Sequence, residues 1–423
     1  MELIRSVKGM NDLLPADSRR WQHIEDTARR VFERYGFREV RTPIVEETRL
    51  FARGIGELTD IVEKEMYTFA DRNGTMLTLR PENTAGVVRA LIEHNLLALD
   101  RAQKLYYLGP MFRYERPQKG RYRQFFQIGA EAFGLSDALA DAEVIAMACR
   151  LLSELGLAEL EVRINSLGDA ASREAYRNTL IEALRPHHGE LCKDCQRRYE
   201  QNPLRVLDCK VPGCKAIAAT LPVITDSLSE ADRAHFDGLQ EALTDLGINF
   251  KVDAHLVRGL DYYTRTIFEV VATSSMLGAQ NTVVGGGRYD GLVEQLGGPA
   301  TPAIGFAFGV ERLALLLEGA ALPEPARVFV AAMGNPARRW AARTVEALRR
   351  VGVHAELDTE PKSLKAQLRR ADRITARLCI IVGDGELERG MAQMKDMVAG
   401  GQREVPFADV VSAVQVVLQG TGA

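Results

Sequence analysis

The chain has 423 residues, 46% of them hydrophobic and 26% charged, and a formal net charge of −3 at pH 7. That length can bury two or three ordinary cores, and the balance excludes disordered, collagen-like and bilayer-spanning chains. Six cysteines are too few for a disulfide scaffold, and the opening MELIRSVKGMNDLLP holds no apolar run resembling a signal peptide; a cytoplasmic protein with reduced or metal-bound cysteines and no membrane partner is expected.

Trp21, Ile24, Ala28, Val31, Phe32 and Tyr35 recur at helical spacing. They predict a helix from about Asp17 to Tyr35, N-capped by Asp17 or Ser18 and stopped at Gly36. The strand FREVRTPIVE follows; its Pro43 cannot donate to a ladder, which puts it at an edge or an interface. Met76 to Leu79 reads as a strand entering Arg80-Pro81-Glu82, with a helix from about Asn83 to His94 behind it. Next comes Phe112 to Phe133, FRYERPQKGRYRQFFQIGAEAF, which reads as two strands joined by a loop. Period 2 places Phe125, Gln127, Gly129 and Glu131 on one face and Phe126, Ile128, Ala130 and Ala132 on the other, with Arg113 and Glu115 sharing a face of the first half. A solvated hairpin with weak cross-strand ion pairs is one reading and a polyanion site the other. Because one side must be core, Arg113 and Glu131 are expected to be partly buried, and buried charges require partners.

A helix is expected across Asp141 to Leu155, and from about Asp169 to Asn249 the chain turns helical, polar and cysteine-bearing, as an insertion would. Strands return in FKVDAHLVRGLDYYTRTIFEVVA, in the glycine-rich NTVVGGGRYDGLVEQLGG and in AIGFAFGVERLALLLEG, the last running into a helix. Leu322-Pro323-Glu324-Pro325 reads as a linker. Beyond it RVFVAAM, a helix Pro336 to Val351, GVHAELD, a helix Leu364 to Ile374, LCIIVG and a strand-turn-helix segment alternate as in a small α/β domain. That tail is the more basic part, with 15 Lys and Arg against 11 Asp and Glu from residue 326 onward. The order predicts an α+β protein with a mixed, mainly antiparallel sheet flanked by helices rather than a doubly wound parallel sheet. The expected boundaries are 1–168 and 250–320 for the two parts of a catalytic domain, 169–249 for the insertion, 321–326 for the linker and 327–423 for the C-terminal domain.

No Gly-Lys dipeptide occurs, which excludes a Walker-type phosphate loop, and Asp290 stands where a dinucleotide fingerprint starting at Gly285 needs its third glycine. Cys192 and Cys195 form C-x2-C, and Cys209 and Cys214 form C-x4-C. This spacing is compatible with a structural zinc and equally with four reduced thiols. Cys149 and Cys379 sit in apolar patterns and read as small buried hydrophobes.

Taken together, these segments resemble the histidyl-tRNA synthetase family of class II aminoacyl-tRNA synthetases. The helix and strand ending at Pro43 are similar to motif 1, FRYE through RYRQFFQIGAE to motif 2, and AIGFAFGVERL to motif 3. LVRGLDYYTRTIFE and GGGRYDGL resemble the two histidine signatures, and KGMNDLLP and TLRPENTA are also typical of the family. The resemblance implies the class II synthetase fold with a C-terminal anticodon-binding domain, and a homodimer that joins L-histidine, ATP with Mg²⁺, and tRNA(His). It implies that Arg113 and Arg258 are catalytic at the α-phosphate and the amino-acid carboxylate, and that Arg121 and Arg312 hold the γ-phosphate. Phe125 and Glu115 meet adenine, with Arg312 stacking above. Histidine lies among Glu82, Asn83, Thr84, Arg113, Gln127, Glu131, Arg258, Tyr262 and Tyr263, with Tyr107 and Tyr289 near it. Glu131 and Tyr263 read the imidazole, whose one donor and one acceptor suit a carboxylate and a hydroxyl. Glycines 285 to 287 let backbone approach substrate closely. Arg116 and Gln118 meet the acceptor end of the tRNA. A silent paralogue, the regulatory subunit of ATP phosphoribosyltransferase, lacks the C-terminal domain. A synthetase-like kinase module lacks the arginines of motifs 2 and 3. This chain keeps both.

Overall fold

The computed structural model describes all residues except 1–2, 57–58, 60, 275–276, 278–280, 321, 323–325 and 420–423, so residues 321 and 323–325 of the expected linker lie outside the described residues. The chain forms two compact units, Met1–Leu322 and Pro323–Ala423. In the first, apolar alternation builds an eight-stranded sheet. Its strands are β1 (Arg38–Glu39), β5 (Gln103–Phe112), β6 (Gln124–Phe133), β7 (Leu160–Ser166), β8 (Phe250–Val252), β9 (Thr264–Ala272), β10 (Thr282–Arg288) and β11 (Ala303–Gly309). Their order is β1-β5-β6-β11-β10-β9-β7-β8. Only the outermost pairs, β1 with β5 and β7 with β8, are parallel; the pairs between them are antiparallel. A second sheet joins β2 (Val45–Glu47), β3 (Tyr67–Ala70) and β4 (Met76–Leu79) in the order β2-β4-β3.

Three expectations are corrected here. The segment FREVRTPIVE is two strands, β1 at the edge of the large sheet and β2 in the small one, because Pro43 interrupts the ladder between them. The first helix starts at Pro15, not Asp17, and Leu14 precedes it with no side-chain cap; proline's fixed φ and missing N–H suit a first helical turn. The charged hairpin is β5 and β6, and β5 ends at Phe112, so Arg113 and Glu115 lie in the connecting loop and not on a strand face. The loop's backbone bonds elsewhere: Tyr114 N donates to Glu65 O at 2.6 Å and Arg123 N to Gly9 O at 2.8 Å.

The even-numbered face of β6 packs Ile128, Ala130 and Ala132 into a core with Ile24, Val31 and Phe32 of the helix Pro15–Arg34 and Ile145, Ala148 and Leu152 of the helix Ala138–Glu154. The opposite face carries a second core in which Tyr107, Tyr262, Tyr263 and Tyr289 meet Val87, Val88 and Leu91 of the helix Thr84–Glu93. Between β7 and β8 the chain forms the helices Ala170–Leu184, Lys193–Gln201, Pro212–Ala218 and Glu230–Asp245, with short 3₁₀ turns between them. Asp169 and Ser229 cap the first and last of these through their side chains.

A buried ion cluster ties this architecture together. The Arg288 and Asp141 side chains are both fully buried and paired. His235 Nε2 lies 2.8 Å from Asp141 Oδ2, and Arg288 Nη1 also donates to Leu135 O at 2.9 Å and Asp290 Oδ1 at 3.1 Å. Deleting one partner of such a pair strands a buried charge. Asp141→Ala should therefore lower unfolding free energy by about 3–5 kcal/mol in urea titration, whereas a loss under about 1 kcal/mol would show that the pair is replaceable.

In the second unit β12 (Arg327–Ala332), β13 (His354–Leu357), β14 (Ala376–Val382), β15 (Met391–Asp396) and β16 (Gln402–Pro406) order as β13-β12-β14-β15-β16. Trp340 and Val345 of the helix Asn335–Arg350 pack with Val410 and Val414 of the helix Val410–Gln419, while Leu364, Leu368 and Ala371 join Phe329 and Cys379 in a separate cluster. The expected closing strand-turn-helix is a short helix Asp384–Arg389, the hairpin β15–β16 and then the last helix. Among the described residues no helix is long and apolar enough to cross a membrane.

Candidate active site

The odd-numbered face of β6 is the floor of a cavity of about 410 Å³. Phe125, Gln127 and Glu131 rise from it, and neighbouring strands leave room by using glycine. A Cβ on Gly305 of β11 would lie 1.8 Å from Glu131 Oε2, and one on Gly285 of β10 would lie 2.1 Å from Arg258 Nη2. Of the residues expected in the site, Glu82, Thr84, Arg113, Glu115, Arg121, Phe125, Gln127, Glu131, Arg258, Tyr262, Tyr263 and Arg312 all line this one cavity, with Tyr107 and Tyr289. They come from both sides of the helical segment between β7 and β8. The close neighbour across the Gly285 gap is the Arg258 side chain itself, so the glycine-rich strand makes room for a guanidinium.

The acids and tyrosines form one cluster in it. Glu82 Oε2 and Oε1 accept from the backbone N–H of Thr84 (2.7 Å) and Ala85 (3.0 Å) at the start of the helix Thr84–Glu93. Thr84 Oγ1 donates to Glu131 Oε1 at 2.8 Å, and the Tyr289 hydroxyl donates to Glu131 Oε2. Burial pushes the Glu131 carboxyl up to about 8, with Glu82 adding to the effect, and burial likewise raises Glu82. The rings of Tyr262 and Tyr263 lie 4.8 Å apart and those of Tyr262 and Tyr289 5.5 Å apart, closing the wall.

Four arginines line the same cavity. Arg113 donates from Nε to Pro81 O at 2.9 Å and stands 5.3 Å over the Phe125 ring. Arg121 pairs with Glu115, Arg258 with Glu269, and Arg312 Nη1 donates to Thr282 O at 2.7 Å. Burial presses the pKa values of Arg113, Arg121 and Arg312 below their ordinary range, and for Arg312 the neighbouring Arg121 and Arg113 press it further. Guanidinium groups crowded into a low-dielectric cleft are stabilised by an anion entering among them. Gln127 Oε1 and Arg258 Nε are buried with no hydrogen-bond partner among the described residues, and both belong to cavity-lining residues. The cavity can thus hold a polyanion against the arginines and a polar, uncharged or cationic group against the acids.

Three expected residues lie elsewhere. Asn83 does not line the cavity; its Oδ1 accepts from Thr42 Oγ1 at 2.6 Å and from Arg80. Arg116 and Gln118 are exposed in the loop between β5 and β6, where Gln118 and Arg121 form an isolated antiparallel bridge. Sequence reasoning had passed over Glu269 and Glu311, the latter accepting from Phe126 N at 2.9 Å and raised by burial to about 7. It also missed Asp208 and Lys210, which reach the cavity from the helical segment between β7 and β8. The cysteine pairs converge without lining the cavity: the Sγ atoms of Cys192, Cys195, Cys209 and Cys214 lie within 4.8 Å of one another. Cys379 is buried and Cys149 partly so; burial raises their thiols to about 12 and about 11.

The chain is similar to known proteins over nearly its whole length. The family model described as histidyl-tRNA synthetase matches residues 9–313, and one described as anticodon binding domain matches 327–416. The chain is 56% identical over 402 residues to the histidine–tRNA ligase of Trichlorobacter lovleyi, covering 95% of this chain and 96% of the relative. It is 52% identical to that of Geobacter sulfurreducens, covering 98% and 100%. Among solved structures, apo histidyl-tRNA synthetase of S. aureus superposes with a TM-score of 0.82 at 40% identity, covering 97% of this chain and 99% of that one.

Proposed function

The chain belongs to the histidyl-tRNA synthetase family, and from that premise we propose how its cavity carries out the family's reaction. The enzyme joins L-histidine and ATP into histidyl-adenylate with release of pyrophosphate, then transfers histidine to the 3′ end of tRNA(His) with release of AMP. In the first step a histidine carboxylate oxygen attacks the α-phosphorus and the bond to the β-phosphate oxygen breaks. Negative charge grows on the α-phosphate oxygens and on the leaving pyrophosphate. Arg113 and Arg258 meet the α-phosphate, and Arg258 also holds the attacking carboxylate. Arg121 and Arg312 draw the outer phosphates away. Arg121 exchanges its protein partner for phosphate, releasing Glu115, while Glu269 keeps Arg258 in place. Glu115 is then available to accept from the adenine amino group over Phe125.

Histidine's ring lies between Glu131 and Tyr263, and its α-ammonium meets Glu82, Thr84 and Gln127, whose buried Oε1 has no other partner among the described residues. ATP enters with its Mg²⁺; the Glu311 carboxylate, on the same wall as Arg312, is the hard oxygen donor suited to that ion. The observation that carries the reading is the convergence in one cavity of four arginines with the buried acids Glu82 and Glu131.

For the second step, Arg116 and Gln118 project from the exposed loop 116–120 and meet the acceptor end. In the C-terminal domain Lys365, Arg369 and Arg373 are exposed on the helix Leu364–Arg373, whereas Arg370 is engaged by Asp358 and Glu356. The first three are the candidates for anticodon contact. Residues 169–249 form the insertion and 327–423 the anticodon-binding domain. The working form is a cytoplasmic homodimer. Purified protein with ATP, Mg²⁺ and labelled histidine should charge a tRNA(His) transcript and not another tRNA; charging of neither would refute the assignment.

A further inference from the structure

The four cysteines of the insertion are the one thiol cluster that the reaction does not use. They come from two places in sequence, Cys192 and Cys195 at the start of the helix Lys193–Gln201 and Cys209 and Cys214 beyond it, yet their Sγ atoms lie within 4.8 Å of one another and none is in a disulfide. Cys192 Sγ and Cys209 Sγ are 3.9 Å apart. Tetrahedral zinc with four Zn–S bonds of about 2.3 Å requires sulfurs about 3.8 Å apart. Cys195, Cys209 and Cys214 are buried, and the Cys192 backbone N–H donates to Cys214 Sγ at 3.2 Å, a bond suited to damping charge on a thiolate. C-x2-C with C-x4-C falls within the ligand spacings of structural zinc sites.

The segment enclosed by these ligands reaches the active site. Asn202 Nδ2 donates to Asp261 Oδ1 at 3.0 Å and Arg205 Nη1 to the Arg258 carbonyl at 2.9 Å, while Asp208 and Lys210, on either side of Cys209, line the cavity.

We propose that Cys192, Cys195, Cys209 and Cys214 bind one structural zinc ion per chain, and that the metal fixes segment 202–210 against the loop carrying Arg258. The metal site stands on geometry alone; its coupling to Arg258 rests on the function proposed above. Full-length protein purified under reducing conditions without chelator should contain about one equivalent of zinc, and cobalt exchanged into it should give the absorption of a tetrahedral tetrathiolate. Cys209→Ser should lose the metal and Cys149→Ser should keep it. If Cys209→Ser does not fold, metal content and thiol accessibility of the wild type decide. Absence of zinc, iron in its place, or four thiols that react freely with and without added zinc would overturn the site. Stripping zinc should lower histidine-dependent adenylate formation by roughly tenfold or more, with recovery on adding zinc back. Full activity in the stripped protein would overturn the coupling. A zinc-loaded protein that forms no adenylate would count against the function instead, and leave the metal site supported.

Discussion

Arg258→Ala should reduce the rate of histidyl-adenylate formation by roughly 10³-fold or more, with tRNA binding nearly unchanged. The side chain is held in the cavity from several directions. Glu269 pairs with it, the Tyr263 ring lies 6.0 Å away, and the missing Cβ of Gly285 leaves its guanidinium room. Burial opposes its charge, yet the Glu269 and Tyr263 contacts outweigh that and leave its pKa above the ordinary value. A fixed, permanently charged fork can bridge the carboxylate and the α-phosphate without reorganising as charge develops. Arg258→Lys keeps the charge but not the fork, and should recover only part of the loss. The substitution to alanine leaves Glu269 with the Thr282 hydroxyl at 2.9 Å, so a thermal-unfolding control separates misfolding from lost chemistry. A folded alanine variant that has lost less than about tenfold would contradict the electrostatic role.

Glu131→Gln should have opposite effects on activity and on stability. Histidine activation should fall by roughly 10²-fold or more, because the carboxylate's charge-assisted bond to one ring nitrogen is replaced by a weaker neutral amide bond, with Tyr263 unchanged at the other. The free protein should gain stability at alkaline pH. Glu131 is raised by burial to about 8 in the folded chain against an ordinary value near 4.5. Between those values the folded protein retains a proton that the unfolded chain has lost, so stability falls as pH rises through that window. The variant removes this contribution, on the order of a few kcal/mol by pH 8. Glu311, raised to about 7, acts in the same sense, and its share of the slope should persist in the variant. Melting curves from pH 5 to pH 8 read the difference. Parallel slopes for wild type and variant would mean that Glu131 is ionised in the free protein.

The regular elements were legible because their signals are local. Period 2 in QFFQIGAEAF separated Ile128, Ala130 and Ala132 from Gln127 and Glu131, and the sheet divides them the same way. The loop between β5 and β6 was misread because its backbone partners, Gly9 and Glu65, are distant in sequence. Glu269 and Glu311 carry no local pattern at all; each takes its meaning from a group on another element, Arg258 for one and the Phe126 N–H for the other. Asn83 was carried into the site with its neighbours Glu82 and Thr84, but its side chain points toward Thr42 and Arg80. The cysteines showed their pairing in sequence, whereas their convergence required the fold of the helical segment between β7 and β8.

The most direct measurement of the central claim, that this cavity couples imidazole recognition to attack on ATP, is exchange of labelled pyrophosphate into ATP with each amino acid supplied in turn. The account predicts rapid exchange with histidine and background exchange with the others, since an unmatched side chain leaves Glu131 and its partners unsatisfied in a buried site. Exchange supported equally by another amino acid, or by none, would contradict it.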